Sequence, residues 1–304
     1  MEMYIPESVE INEVVLRDGI QNDKKIVPTD DKVRLVHDLA ACGIRRMEIS
    51  SFVNKKLVPQ MADAEELWER IERKKDVIYS ALILSEKGLD RAIRCRVPHV
   101  SFFVSASETH SIKNSNKTVE EAMKEALRLI GKARDAGMGV RAGVMNTFGC
   151  AYDGKVPVSA VLKHVRAFME REPDEIGLAD TTGMANPRQS AELLKLVKDV
   201  TGDTPLSVHF HNTRDLGLAN VWAAINEGVT IFDSSLGGLG GCPFIPGAKG
   251  NIATEDFLHM MHEMDILTGV DLNRFIDVSL GFEKVMGQTF PAFVTHLQKA
   301  ACGC

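Results

Sequence analysis

The sequence predicts an α/β protein, specifically a (β/α)8 TIM barrel with extra C-terminal helices. Eight short apolar runs alternate with amphipathic helical stretches, 304 residues is a typical length for one such barrel, and no change of composition marks a linker. A doubly wound open sheet is the competing architecture, but no Gly-rich phosphate loop follows the first strand. We expect a single domain over residues 1–304, with the barrel at about 10–268 and a C-terminal helical segment at about 271–304.

Each predicted strand is a short run of mainly apolar, β-forming residues that ends at polar or turn-forming residues. Their order along the chain, interrupted each time by a helical pattern, is what predicts a parallel sheet. The strands are expected at Ile11–Arg17, Arg46–Ser51, Val77–Leu84, His99–Ser105, Gly139–Asn146, Glu175–Asp180, Leu206–His211 and Thr230–Leu236.

The stretches between the strands have apolar residues at helical spacing and carry end signals. A threonine followed by acidic residues opens two of them, a proline occupies the first helical position of a third, and glycines follow several ends. The clearest predicted helices are Thr29–Ala41, Thr118–Ala136, Pro187–Val200, Leu216–Glu227 and Thr254–Leu267, and the chain after Asp271 also has a helical pattern.

The composition indicates a soluble globular protein, with 44% hydrophobic and 26% charged residues. A net charge of -6 argues against nucleic acid as a partner, because a phosphate backbone calls for a basic surface. We expect no membrane association, since no apolar run approaches the roughly 20 residues that span a bilayer. The N-terminus shows no export signal, and the six cysteines lack a disulfide spacing, so we expect a cytoplasmic protein with reduced thiols.

The histidines His209 and His211 are one residue apart near the end of the seventh predicted strand. Strand residues alternate faces, so both imidazoles project from the same side. Taken alone, such a pair is more often a structural pair bonded to neighbouring loops. In a barrel, however, the C-terminal strand ends gather around one cavity, and Asp18 follows the first strand there. Two nitrogens and a carboxylate without a thiolate suit an open catalytic site for Mg2+, Mn2+ or a similar divalent cation.

Polar residues follow most of the other predicted strands, and the barrel would direct them to the same cavity. Polar strand ends are common in any barrel, so a purely structural role stays open for Ser105, Ser107 and Asn146. A Gly-rich segment follows the eighth strand and contains Cys242. The remaining candidates at strand ends are Arg17, Gln21, Glu48, Asp180 and Asn251.

In these residues the chain resembles the hydroxymethylglutaryl-CoA lyase family of metal-dependent TIM barrels. The resemblance covers most of the chain, and the order of its motifs is specific. The motifs are Arg17–Asn22, Glu48–Val53, Val58–Met61, Ser105–Glu108, Gly149–Gly154, Asp180–Gly183, His209–Thr213, Gly238–Pro243 and Gly250–Asp256.

The resemblance implies cleavage of 3-hydroxy-3-methylglutaryl-CoA, or a close 3-hydroxy-3-alkylglutaryl-CoA, to acetyl-CoA and a keto acid such as acetoacetate. It implies that a divalent cation, Mg2+ or Mn2+, assists the cleavage, and that the protein is a homodimer. By resemblance the cation is held by Asp18, His209, His211 and Asn251.

The same resemblance assigns roles to the remaining candidates. Asp18 or His209 would take the hydroxyl proton, and Arg17 would stabilise the negative charge that grows on the thioester oxygen. Cys242 would protonate the enolate from a mobile Gly-rich loop, while Glu48 would position Arg17 or a bound water. The expected substrate contacts are Gln21, Asp180, Ser105 and Asn146.

Departures from the familiar lyases surround the expected distal half of the substrate. Asn212 stands where those lyases have aspartate, Arg214 where they have an aromatic residue, and the segments Phe244–Lys249 and Val144–Phe148 also differ. The reaction type is therefore a firmer expectation than the acyl group, and a longer or branched alkyl substituent stays open.

Two other functions stay open from the sequence. A Claisen-type synthase of the isopropylmalate or homocitrate kind is disfavoured because Gly247–Asn251 lacks the glutamate of those enzymes, and we expect no appended regulatory domain within 304 residues. A non-catalytic CoA-binding regulator would be expected to lack a metal ligand or Cys242, yet all are present.

Overall fold

Eight parallel strands close into a barrel in the order of the chain, and this confirms the predicted fold class. The computed structural model describes residues 4–241 and 250–301, with side chains up to residue 297, so Cys242, Cys302 and Cys304 lie outside the described residues. The strands are β1 (Glu10–Glu13), β2 (Arg46–Ser51), β3 (Ile78–Leu82), β4 (His99–Ser105), β5 (Gly139–Met145), β6 (Glu175–Asp180), β7 (Leu206–Phe210) and β8 (Ile231–Ser234).

Helices surround the barrel, and several of their ends carry capping contacts, although Thr29 makes none because Pro28 is the cap residue of the first helix. Thr118 forms a reciprocal capping box with Glu121, Asn186 caps the helix that begins at Pro187, and Gly43 ends the first helix with φ +109°. The helices in the described residues are α1 (Thr29–Cys42), α2 (Ala64–Arg70), α3 (Glu86–Arg94), α4 (Glu108–Ser115), α5 (Val119–Asp135), α6 (Val158–Met169), α7 (Pro187–Thr201), α8 (Gly217–Asn226), α9 (Thr254–Glu263), α10 (Leu272–Met286) and α11 (Phe293–Ala301).

The last two helices are the predicted C-terminal helical segment. The amide of Asp271 donates to the carbonyl oxygen of Cys42 at 2.8 Å, which places α10 against α1. The amide of Val294 donates to Asp256 at 2.9 Å, which places α11 against α9. Within the described ranges, none of the helices is both long enough and apolar enough to cross a membrane.

The first strand is shorter than predicted. It ends at Glu13 rather than Arg17, and a π-helical turn over Val15–Gly19 follows it. The buried Glu13 carboxyl accepts the amide of Val15 at 2.9 Å, and Asp18 and Gly19 donate their amides to Val14. Consecutive residues of a strand point to opposite faces, so a strand could not present both Arg17 and Asp18 to one cavity. The turn does this.

The seventh and eighth strands also end earlier than predicted. β7 stops at Phe210, and His211 instead forms an isolated antiparallel bridge with Asn251. β8 stops at Ser234, after which the chain makes a short 3-10 turn over Leu236–Gly238. The bridge and the turn bring the residues that follow β7 and β8 next to each other.

The interior of the barrel is unusually polar around Arg141 on β5. Its side chain crosses the interior, and its guanidinium lies 5.2 Å from the ring centroid of Phe103. Gly143 and Gly177 make room for this stack, since a Cβ on Gly143 would lie 2.2 Å from Phe103 and one on Gly177 would lie 2.9 Å from Arg141. The apolar core lies instead between the strands and the surrounding helices.

Candidate active site

The C-terminal ends of the strands enclose a cavity of about 310 Å³. Its floor is polar and holds Arg17, Asp18, His209, His211 and Asp233. The walls are largely apolar, and the rim carries Gln21 and Asn22. The apolar lining consists of Val53, Leu57, Val58, Leu82, Leu84, Phe103, Met145 and Ala179.

Three of the predicted metal ligands converge on the floor. The carboxylate oxygen Oδ2 of Asp18 lies 3.7 Å from Nε2 of His211 and 3.9 Å from Nε2 of His209. One ligand atom from each of the three residues lies within 4.8 Å of the others, and the two imidazole centroids are 4.9 Å apart. The fourth predicted ligand, Asn251, donates its side-chain amide to Asp18 at 2.8 Å. The structure thus brings all four residues together.

The residues present fit a divalent cation. Both ring nitrogens of His211 and the amide oxygen of Asn251 are buried and have no hydrogen-bond partner among the residues that the structure describes. Buried polar atoms are ordinarily satisfied, so the Asn251 oxygen and Nε2 of His211, which faces Asp18, are available to bind a ligand. Nitrogen and oxygen donors without a thiolate match Mg2+ or Mn2+. Gly240 lets the chain pass beside the site, because at its φ of +121° a Cβ would lie 2.5 Å from the Asn251 amide.

Arg17 links Asp18 to Glu48. Its guanidinium contacts both carboxylates, and the Glu48 side chain is completely buried. Burial acts to lower the pKa of Arg17, but the charges of Glu48 and Asp18 outweigh it and raise this pKa further. Burial acts to raise the pKa of Asp18, whereas the charge of Arg17 and the nearby histidines hold it well below its usual range. Arg17 and Asp18 therefore form an ionised pair in the cavity.

Asp233 supports His209 from below. Its Oδ2 lies 3.1 Å from Nδ1 of His209, while Arg141 donates to both of its carboxylate oxygens. Burial acts to raise the pKa of Asp233, but the charge of Arg141 outweighs burial and holds this pKa below its usual range. His209 therefore lies between two carboxylates, Asp18 on the cavity side and Asp233 on the barrel side.

Gln21 lines the cavity, its contact with a substrate stays a prediction, and its loop is held by the buried Gln60. The Gln60 side chain accepts the amide of Val27 at 2.9 Å and donates to the carbonyl oxygens of Ile20 and Lys25. These contacts fix both ends of the segment that carries Gln21.

Three other predicted substrate contacts lie behind the cavity lining. Ser105 and Asn146 are buried and hydrogen-bonded to each other at 3.1 Å, and the amide oxygen of Asn146 has no partner among the described groups. Asp180 is fully buried and accepts the backbone amides of Met184 and Ala185. Burial raises the pKa of Asp180 to about 6. Their contact with a substrate stays a prediction.

The two departures next to the histidines have structural contacts. The amide oxygen of Asn212 accepts the backbone amide of Gly217 at 3.0 Å, at the start of α8. Arg214 donates to the carbonyl oxygens of Thr182 and Gly183. Within the differing segment Val144–Phe148, Met145 lines the cavity. The segment Phe244–Lys249 lies within the undescribed part of the chain.

Sequence reasoning missed Asp233, Arg141, Glu13 and Phe103. The first three are charged residues inside otherwise apolar strands or at their ends, and that pattern was a usable signal. Phe103 gave no signal, because an aromatic residue in a strand is most often part of the core.

Comparison with known proteins identifies the family. The HMGL-like family profile matches residues 8–280. A hydroxymethylglutaryl-CoA lyase of Bacillus subtilis is 38% identical over 95% of this chain and 97% of its own length. A 3-hydroxy-3-isohexenylglutaryl-CoA/hydroxymethylglutaryl-CoA lyase of Pseudomonas aeruginosa is 36% identical over 94% of this chain and 96% of its own length.

Solved structures agree in both fold and family. The crystal structure of the Bacillus subtilis HMG-CoA lyase superimposes with a TM-score of 0.95 at 37% identity, covering 98% of this chain and 100% of that one. An HMG-CoA lyase from Acinetobacter baumannii, in complex with coenzyme A and 3-methylmalate, gives 0.92 at 38% identity, covering 95% of each chain. The chain belongs to the HMGL-like family, that of the hydroxymethylglutaryl-CoA lyases, and is an enzyme of this lyase type.

Proposed function

We propose that the protein cleaves 3-hydroxy-3-methylglutaryl-CoA, or a close 3-hydroxy-3-alkylglutaryl-CoA, to acetyl-CoA and a keto acid. The observation that carries this proposal is the convergence of Arg17, Asp18, His209, His211 and Asn251 on the floor of one cavity. The names of the similar proteins and the coenzyme A bound to one of them support an acyl-CoA substrate.

The reaction breaks the bond between the thioester α-carbon and the hydroxyl-bearing carbon. A base removes the hydroxyl proton, a carbonyl forms, and the electron pair of the broken bond moves to the α-carbon as an enolate. One proton returned to that carbon gives acetyl-CoA. The methyl-substituted substrate leaves acetoacetate as its second product, so atoms and charge balance.

The residues of the cavity floor supply the groups that these steps need. Asp18 takes the hydroxyl proton, since the two ring nitrogens of His209 face Asp18 and Asp233 and are needed for the cation and for the hydrogen bond. The Arg17 guanidinium, oriented by Glu48, stabilises the charge that grows on the thioester oxygen. Cys242, outside the described residues, would return the proton to the enolate. The loop that carries it continues from Gly241, which lines the cavity.

Asp18, His209, His211 and Asn251 would hold Mg2+ or Mn2+. When bound, the cation would supply Lewis acidity, which favours loss of the hydroxyl proton. The unpartnered buried atoms of His211 and Asn251 support this part of the proposal.

The apolar walls bear on the alkyl substituent. Leu82, Leu84, Phe103 and Met145 give the cavity an apolar side next to its polar floor. A substituent larger than methyl would find apolar contact there, and a CH2 group removed from water contributes about 0.8 kcal/mol. We therefore include substrates with longer alkyl groups in the proposed class.

The wider context follows from the family alone. We propose a cytoplasmic homodimer that acts in leucine breakdown, as hydroxymethylglutaryl-CoA lyase activity suggests. Catabolism of a branched terpenoid acid is the alternative that a longer alkyl substituent would indicate.

A panel of thioesters tests the proposal. Purified protein with Mg2+ or Mn2+ is incubated with 3-hydroxy-3-methylglutaryl-CoA, with its 3-alkyl homologues, and with 3-methylglutaryl-CoA, which lacks the hydroxyl group. We expect acetyl-CoA from at least one hydroxylated member, none from the control thioester, and loss of activity with EDTA that added cation restores.

Two variants separate the cation site from general damage. His211→Ala should abolish turnover, whereas His259→Ala, which removes an exposed histidine of α9, should leave turnover unchanged. Failure to cleave every panel member with cation present would refute the lyase. Condensation of acetyl-CoA with an oxo acid would instead indicate the synthase.

A further inference from the structure

A continuous chain of buried polar side chains runs through the barrel beneath His209. Asp233 stands at its upper end and has four contacts: His209 Nδ1 at 3.1 Å, Asn12 Nδ2 at 2.9 Å, and the Arg141 guanidinium at 2.9 and 3.0 Å. Asp233 is 1% exposed and Arg141 is 2% exposed. The carboxylate therefore has no freedom to turn away from the imidazole.

The chain continues to the opposite end of the barrel. Nε of Arg141 lies 2.9 Å from the Glu175 carboxylate, Glu175 also contacts Arg46, and Arg46 reaches the exposed Glu10 at 3.2 Å, where the buried series ends. Isolated buried charges are strongly unfavourable, so alternating signs are what allow this arrangement to exist. Each carboxylate in this series of contacting side chains, Asp233, Glu175 and Glu10, faces a guanidinium.

The geometry points to Asp233 as the positioning residue that sets the tautomer of His209. A carboxylate oxygen only accepts hydrogen bonds, so the facing Nδ1 must carry the proton. The other nitrogen, Nε2, is then unprotonated and faces Asp18, where a ligand lone pair is needed. His211 has no such partner on its Nδ1 among the described residues. This inference rests on the cation site of the proposed function.

Asp233→Asn is the informative variant. Both oxygens accept from Arg141, but Oδ1 also accepts from Asn12, so the amide oxygen is expected to take the place of Oδ1 and the NH2 group that of Oδ2. The NH2 group would then donate to His209 Nδ1 and force the ring proton onto Nε2. A protonated Nε2 cannot bind a cation. We expect Mn2+ affinity to fall by about 10–100-fold, the range for loss of such outer contacts.

Glu175→Gln is the matched control. It also replaces a buried carboxylate partner of Arg141 by an amide, but Glu175 has no contact with His209. If Asp233 acts only through the charge of the buried chain, both variants lose Mn2+ affinity alike. If Asp233 sets the tautomer, Asp233→Asn loses affinity and Glu175→Gln stays within a few-fold of the wild type.

The tautomer itself is measured by long-range proton–nitrogen NMR on metal-free protein with labelled histidine, at about pH 8.5, above the ordinary histidine pKa. A His209→Gln spectrum identifies the signal. We expect a protonated Nδ1 in the wild type and a protonated Nε2 in Asp233→Asn. A protonated Nε2 in the wild type overturns the inference even if the variant does not fold, as does equal Mn2+ affinity of the two variants. Neither measurement involves turnover, so a wrong substrate assignment leaves both unaffected.

Discussion

Replacing Glu13 with glutamine should make the stability of the folded protein rise, relative to the wild type, as the pH increases. Glu13 is 1% exposed and holds the turn that carries Arg17 and Asp18. Its Oε1 accepts the amides of Val15 and Leu236, both at 2.9 Å, and Oε2 accepts the Thr254 hydroxyl at 2.7 Å. Burial raises the pKa of Glu13 from 4.5 to about 8, against the opposing effect of these hydrogen bonds.

The sign and size of the effect follow from this shift. In the unfolded chain Glu13 loses its proton near pH 4.5, whereas the folded protein keeps it until about pH 8. The contribution of the neutral carboxyl to stability is therefore fully present below pH 4.5 and is lost as the pH rises through about 8. The slope is about 1.4 kcal/mol per pH unit, which gives a loss of roughly 3 kcal/mol between about pH 5 and 7.

Glutamine should escape this loss. Its amide oxygen can accept the amides of Val15 and Leu236, and its NH2 group can donate to the Thr254 hydroxyl oxygen, so the contacts of the turn are kept. The amide does not titrate. From about pH 5 to about pH 7, the free energy of unfolding of Glu13→Gln should therefore rise by roughly 3 kcal/mol relative to that of the wild type.

Urea unfolding at three pH values in this window, followed by circular dichroism, measures the difference between the two midpoints. EDTA is included in every sample, since a bound cation would add its own stabilisation. Glu10→Gln removes a carboxylate from the same strand, but one whose side chain is 58% exposed, and should leave the slope of the wild type unchanged. Parallel stability curves for Glu13→Gln and the wild type would show that the three donors keep Glu13 ionised, which refutes the reasoning.

Three further predictions concern the cavity. Arg17→Lys replaces a guanidinium that contacts both Asp18 and Glu48 by a single ammonium group. We expect kcat to fall by about 10²–10³-fold in steady-state assays. An unchanged kcat would contradict the role of Arg17 in charge stabilisation. Gly143→Ala would place a Cβ 2.2 Å from Phe103 and should reduce stability by about 1–3 kcal/mol in urea unfolding, an effect that additional Phe103→Leu should relieve. Cys242→Ser should lower turnover by about 10²–10⁴-fold with metal content intact by equilibrium dialysis, whereas loss of metal would contradict its role as proton donor.

Much of the barrel could be predicted because its strands have clear polar or turn-forming ends. The bounds of β2, β4 and β6 agree with the predicted bounds at every residue. His209 and His211 could be placed on one face from their spacing alone, and the barrel then placed Asp18 opposite them. Period and topology, both properties of the sequence pattern, were sufficient for these features.

The end of β1 could not be predicted, because the residues after Glu13 continue the apolar pattern of a strand. What ends the strand is a contact over a long sequence distance, since Glu13 binds the amide of Leu236 as well as that of Val15. The partners of Asp233 are equally remote, with Arg141 separated from it by 92 positions. Periodicity describes one element at a time, and contacts of this kind exist only after the barrel has closed.

The buried carboxyl groups that support the site differ in charge, and their neighbours explain the difference. Glu13 and Glu255 hold the turns after β1 and β8 through backbone amides, with Glu255 accepting the amide of Gly237 at 2.9 and 3.0 Å. Burial raises their pKa values to about 8 and about 7, and no guanidinium in the described part of the chain contacts either group to offset this.

Asp233 is equally buried but contacts Arg141, so it stays ionised. A neutral carboxyl can hold a turn without attracting a cation away from Asp18, whereas the charge on Asp233 strengthens the hydrogen bond that fixes His209. The charge on Asp233 thus lies beside a proposed ligand, and the turns are held by carboxyl groups that are neutral near pH 6. When Glu13 ionises at high pH, we expect the cost of its buried charge to destabilise the turn that carries Arg17 and Asp18 before it affects His209.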